Sequence, residues 1–238
     1  MKIRIKFRKY GVMKFVGHLD MMRYFQKAVR RANIDICYSE GFSPHQIMSF
    51  AAPLGVGITS DGEYLDIEVH STESTEKMLA TLNAVMVEGV EITGYVKLAD
   101  DAKTAMSIVA AADYRLFFKE GDEVPFTKSE AAQAVKDYFE TPTEVLITKQ
   151  TKKSEKVMDI KQLVYDFKVE GTEEAPVFYL NLSTGSSDNL KPELVLESLF
   201  RYMGIPYNEN AIQIHRIDVY AKENDRFVSL LELGEVIA

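Results

Sequence analysis

The chain has 238 residues, 46% hydrophobic and 27% charged, with a net charge of −8 and one cysteine. Such a length gives one large domain or two of ordinary size, with enough chain to bury a core without staples. A lone Cys37 excludes an internal disulfide framework and a cysteine-ligated iron–sulfur cluster, and it points to a reducing, cytoplasmic setting.

The N-terminal "KIRIKFRK" alternates strictly, so Ile3, Ile5 and Phe7 form one side of a strand and a basic row that includes Arg4 and Arg8 forms the other, exposed side. "MKIRIKFRKYG" has no apolar run of signal-peptide type, and no later run is long enough for a membrane span. "GHLDMMRYFQKAVRRAN" follows with Leu19, Met22, Phe25, Val29 and Ala32 at helical spacing and Arg23, Lys27, Arg30 and Arg31 off that stripe. The last two also suit the negative end of a helix dipole. Residues 38–64 then form a long loop pinned by Gly and Pro, with Phe42, Phe50 and Leu54 as expected anchors and a short strand near Met48–Phe50. "EYLDIEVH" reads as a strand, "STEKMLATLNAVM" as a helix and "VEITGYVKL" as a strand.

The order strand, helix, strand, strand, helix, strand is the ferredoxin-like βαββαβ pattern, with helices on one face of an antiparallel sheet and the other face open. Residues 99–107, "ADDAKTAMS", read as a linker. The order then repeats. "ADYRLFFKE" is a strand, and "TKSEAAQAVKDYFET" is a helix with Thr127 and Glu130 as a capping box. "EVLITKQ" is a strand, and the stretch around "KKSEKVMDIK" mixes turn and strand, its lysines either at a solvated hairpin tip or against a nucleic-acid backbone. "PVFYLNLST" is a strand, "KPELVLESLFRYMG" a helix stopped by Gly204, and "IQIHRIDVYA" a strand. The expected organisation is α+β, with ferredoxin-like halves at 1–99 and 106–221. Residues 222–238 add an edge strand or dock as a tail.

Residues 1–50 hold ten Lys/Arg against three acids, a net of +7, so the remainder carries −15. The basic start points to an anionic partner or to oppositely charged parts docking on each other. Arg4, Arg8, Arg23, Lys27, Arg30 and Arg31 are the candidate RNA-phosphate contacts. No catalytic motif of established spacing occurs. His18, Asp20, Glu40 and His45 are the polar constellation that a returning loop could bring to one pocket, for acid–base work or, through His18 and His45, metal binding. The alternative is that His18 and Asp20 cap the helix while His45 braces the loop. Ser186, Ser187, Asn189 and Lys191 precede a helix that Pro192 opens, a place for an anion or an ordinary capped loop.

"HLD", "RRA", "YSEGF" with Pro44, "GEYLDIE", "DIK" and "NLKPELVLESL" together resemble the radical SAM-associated (radical SAM-linked) protein family, over roughly residues 1–220. The matching positions are His18, Leu19, Asp20, Arg23, Arg30, Arg31, Tyr38, Ser39, Glu40, Gly41, Phe42, Pro44, Glu63 and Asn189. Gly17 and Gln46 depart from the Ser and Pro expected there. The resemblance implies a radical SAM enzyme as partner and a companion role near RNA chemistry. It implies no cofactor of the chain's own and no activity. The readings carried forward are a non-catalytic RNA- or substrate-binding companion, an enzyme or metal-binding protein centred on the His/Asp/Glu set, and a docking subunit only.

Overall fold

The computed structural model describes residues 1–150, 155–185 and 188–238. In chain order the elements are β1 (Lys2–Lys9), α1 (His18–Arg31), β2 (Met48–Phe50), β3 (Thr59–Glu68), α2 (Thr75–Asn83), β4 (Val90–Lys97), α3 (Ala105–Ile108) and β5 (Val109–Phe118). They continue with α4 (Lys128–Val135), β6 (Leu146–Gln150), β7 (Glu155–Asp159), β8 (Val164–Gly171), β9 (Pro176–Ser183), α5 (Pro192–Tyr202), β10 (Ile212–Glu223) and β11 (Arg226–Ser229). The class is mixed α+β with a large, mostly antiparallel sheet. Two compact units divide the chain: Met1–Ala111 with Arg216–Ala238, and Ala112–His215. The expected linker at 99–107 lies inside the first unit and ends in α3. Among the described residues no helix is long and apolar enough to cross a membrane.

In the first unit β1 pairs antiparallel with both β3 and β4, and β2 pairs antiparallel with the far edge of β3. Ile3, Ile5 and Phe7 are buried against Phe25 and Val29 of α1 and Met78 and Leu82 of α2. Phe7, Phe25 and Phe50 meet with ring centroids 4.7–6.0 Å apart, which draws the long loop onto the helix. Of the expected α1 stripe, Phe25, Val29 and Ala32 are buried and Met22 packs partly buried against the core. Met21, Phe25, Ala28 and Val29 are buried, whereas Leu19 is 66% exposed. Phe42 is likewise no anchor, for its ring is fully exposed beyond Gly41, which sits at φ +105°.

The second face of this sheet is not open. The short helical turn Leu230–Leu233, which follows β11, lies over it: Leu230 is fully buried and its carbonyl accepts from Arg4. Leu231 sits where a side chain at Gly94 would stand, within 2.7 Å of its ideal Cβ. The C-terminal segment therefore does both things expected of it. β11 pairs with β10, and the last residues dock, with Glu235 bridging Lys97 and the Ile237 amide donating to Thr75 Oγ1.

In the second unit β9 pairs antiparallel with β8 and stands next to β5, and β6–β7 is a separate hairpin. Phe126, Phe178 and Phe200 meet edge-on or tilted in its core. The Thr127–Glu130 capping box forms, which starts α4. Gly204, at φ +71°, stops α5, and the Ile205 amide returns to the Phe200 carbonyl.

Candidate functional site

The polar side of β1 sets the electrostatics of the first unit. Arg4 is 1% exposed and holds Asp66 through two bonds of 2.8 and 2.9 Å, while also donating to the Leu230 carbonyl. Lys6 pairs with Asp218 at 2.6 Å, and the same carboxylate accepts from the Tyr64 hydroxyl at 2.7 Å. Arg8 is shared between Asp61 and Glu91. Gly62 is required where β3 passes this cluster, since a Cβ there would lie 2.6 Å from the Asp218 Cα.

At the end of β1 the pattern opens into a narrow pocket lined by Phe7, Lys9, His18, Phe50, Leu54 and Glu63, among others. Lys9 is buried, and its ammonium donates to the Val16 carbonyl at 2.7 Å. Burial pulls this ammonium below the ordinary lysine range; Glu63 opposes the shift and Arg216 adds to it. Glu63 is in turn clamped by Arg216 at 2.8 and 2.5 Å, and Arg216 also donates to the Ala52 carbonyl. The His18 ring stands edge-on to Phe50 at 5.2 Å. One buried ammonium, one carboxylate engaged by Arg216 and an imidazole on apolar walls surround a space of about 20 Å³, room for about one water. Lys9 and Arg216 were not singled out from sequence; Glu63 entered only through a motif. The one usable signal was a lysine that breaks the strand's alternation at its end.

A second cavity, of about 370 Å³, lies on the same unit beneath the long loop. Its lining includes Lys2, Ser39, His45, Ile47, Ser49, Glu68, Leu98 and Lys103. Ser39 Oγ lies 2.8 Å from His45 Nδ1 and also accepts from the His45 backbone N–H at 3.1 Å. Both bonds to one hydroxyl close the turn that "SEGFSPH" makes, so His45 braces the loop.

The four residues expected to converge are thus distributed. His18 lines the narrow pocket and His45 the larger cavity, while Asp20 is exposed on α1 and pairs with Arg23 at 3.1 Å. Glu40 is exposed at the loop. Gly17, at the N-cap of α1, supplies no side-chain cap. Among the described residues no group of three or more His, Cys, Asp or Glu side chains is placed to hold a metal ion.

The basic candidates need one correction. Arg4 cannot meet a phosphate, because β1 is an inner strand whose polar side the C-terminal turn covers. Arg8 is half-exposed but engaged. Arg23, Lys27, Arg30 and Arg31 are exposed on α1, with Arg31 also donating to the Val85 carbonyl.

At the start of α5, Asn189 and Lys191 are exposed; Ser186 and Ser187 lie outside the described residues. So do residues 151–154 of the lysine-rich hairpin tip. Lys191 shares its shallow cavity with Glu193, Glu197, Glu209 and Tyr207. Burial, then Glu193, Glu209 and Glu197, raise the Tyr207 phenol well above its ordinary range.

Fold and site define an α+β protein with two separately lined cavities in its first unit. Residues 2–192 match the family described as "Uncharacterized protein conserved in bacteria (DUF2344)", and the chain belongs to that family. No curated protein matches the chain. Among solved structures it is similar to a chain in "Crystal Structure of a Cbf5-Nop10-Gar1 Complex", at 12% identity and a TM-score of 0.48, covering 96% of this chain and 52% of that one. It is also similar to an unknown protein from Galdieria sulphuraria, at 12% identity and a TM-score of 0.23, covering 92% and 97%. The chain spans about half the length of the first of these.

Proposed function

We propose that this protein is a non-catalytic, cytoplasmic companion of a radical SAM enzyme, and that it docks on that enzyme through the first unit. Each half is read as a ferredoxin-like βαββαβ arrangement, a reading supported in the first unit by the pairing of β4 with β1, β1 with β3 and β3 with β2. The partner class rests on the sequence resemblance. The observation that carries docking is the exposed apolar set Val12, Phe15, Leu19 and Val56, beside the cations of α1. Val56 lies 3.9 Å from the ideal Cβ of Gly17, between Phe15 and Leu19 in sequence, so these side chains belong to one region. Apolar area rimmed by charge marks a protein contact. The test is co-purification with a radical SAM protein from the same organism. Wild type retains it; a Phe15→Asp, Leu19→Asp variant of unchanged melting temperature loses it. Wild type that retains none overturns the reading.

A second reading, RNA binding, is favoured by one observation: Arg23, Lys27, Arg30 and Arg31 all stand exposed on α1. Titration of a single-stranded oligonucleotide then gives a log–log salt slope of about −0.7 per phosphate, reduced when these residues become Glu. No binding at low salt removes it.

A further inference from the structure

The larger cavity combines features that neither docking nor RNA binding uses. Its volume, about 370 Å³, is that of a small-molecule site. β2 and β3 set its floor. Ser49 stands opposite Asp66 across the two strands, and Glu68 stands opposite Lys2 of β1, which places these side chains on one side of the sheet. The returning loop gives one wall through Ser39, His45 and Ile47, and the 98–104 segment gives the other through Leu98, Ala102 and Lys103.

The charges on this lining sort into used and unused. Asp66 is used, because Arg4 clamps it and the Ala105 amide donates to it at 2.7 Å. Lys2 donates once, to the Ala102 carbonyl at 2.9 Å, and so keeps N–H groups free. The Glu68 carboxylate and the Lys103 ammonium have no side-chain hydrogen bond or ion pair among the described residues. A half-buried carboxylate facing one side of a cavity with ammonium groups at its rim offers complementary partners to a ligand bearing both signs of charge. Ile47, Met48, Ile67 and Leu98 supply the apolar part of the lining, beside the hydroxyls of Ser39, Ser49 and Thr104 and the His45 ring.

We infer that this cavity binds a zwitterionic α-amino acid with a large apolar side chain. Its ammonium lies at Glu68, its carboxylate at Lys2 and Lys103, and its side chain against Ile47, Met48 and Leu98. A charge-assisted hydrogen bond at each end supplies selectivity over ligands that lack either charge.

The probes are L-phenylalanine and L-leucine, with phenethylamine (no carboxylate) and N-acetyl-L-phenylalanine (no ammonium) as controls, titrated into the full chain by calorimetry or ligand-observed NMR. The expected result is saturable binding of the amino acids at millimolar concentration or below, weakened at least about tenfold for each control. Glu68→Gln removes the penalty for N-acetylation, and Lys103→Met lessens that for decarboxylation, with thermal unfolding of both variants unchanged. Either amino acid failing to bind in the millimolar range overturns the inference, as does binding that Glu68→Gln leaves unaltered. Equal binding of phenethylamine would show a site for an amine alone and would overturn the zwitterion assignment. The outcome is independent of whether a radical SAM protein co-purifies.

Discussion

The strand β1 and the helix α1 are neighbours in sequence and similar in charge, yet their cations have opposite fates. β1 carries Lys2, Arg4, Lys6, Arg8 and Lys9; Arg4 and Lys9 are buried, Lys6 and Arg8 are paired with acids from β3, β4 and β10, and Lys2 holds a carbonyl. α1 carries Arg23, Lys27, Arg30 and Arg31, all exposed, and among the described residues only Arg23 forms an ion pair, with Asp20 at i,i+3. The lesson is that a run of positive charge gives no address. A strand paired on both edges and covered on both faces must satisfy its cations internally, with carboxylates or carbonyls, whereas an amphipathic helix turns its own toward solvent.

The sharpest way to break this comparison is to remove one buried cation. Arg4→Met leaves the Asp66 carboxylate, on the floor of the larger cavity, without its guanidinium clamp and costs about 3 kcal/mol, read as a shift of the urea midpoint. Asp66→Asn together with Arg4→Met recovers part of that loss, because no lone charge is left buried. If Arg4→Met costs no more than a surface change, the buried-network account of β1 is wrong.

Gln46 gives the next effect, in the opposite direction. Its side-chain nitrogen and oxygen are both buried without a hydrogen-bond partner among the described residues, at the position where the resembled family places proline. Gln46→Met keeps the shape and removes the unmet groups, and it stabilises by about 1–3 kcal/mol in the same titration.

The polar layer behind β1 also predicts an alkaline limit. Burial, reinforced by Asp218, raises the Tyr64 phenol above its ordinary range. The folded state therefore keeps a proton that the unfolded state loses near pH 10. The associated stability is complete below that pH and is lost as pH rises above it, at up to about 1.4 kcal/mol per pH unit for this residue. Lys9, shifted downward, acts oppositely, since stability grows as pH rises toward the unfolded lysine pKa. Denaturation series between pH 9 and 11 on wild type, Tyr64→Phe and Lys9→Met separate the two slopes. The smallest effect is expected on the helix, where Lys27→Ala changes stability by less than about 0.5 kcal/mol, although it would weaken any anionic partner. A larger loss would show that the α1 cations, too, serve the fold.

Several parts of this architecture were legible in the residues because local physics decides them. Alternation in "KIRIKFRK", the Thr127–Glu130 box and the glycine stop at Gly204 each act within a few residues, and each element formed where it was expected. The α1 stripe was read rightly at Phe25, Val29 and Ala32, but it included the exposed Leu19 and left out Met21 and Ala28, because all three fit a helical period and only the packing partner chooses between them. Phe42 was misread as an anchor for a related reason, since hydrophobicity says what a side chain favours and not whether anything is there to cover it.

The candidate site was the least legible part. His18 was found, but its charged pocket companions are Lys9 and Glu63, the latter clamped by Arg216. Sequence alone determined that the first hundred residues form strands and helices in this order, with a basic start and a punctuated loop. Only the tertiary structure decided that the C-terminal turn returns over the sheet, that β10 brings Arg216 to Glu63, and that His18 and His45 line different cavities. The physical reason is that periodicity, capping and turn chemistry act over a handful of residues. Desolvation and ion pairing depend instead on which distant segments exclude water from a given side chain, and partners 153 or 226 positions apart leave no mark in any local window.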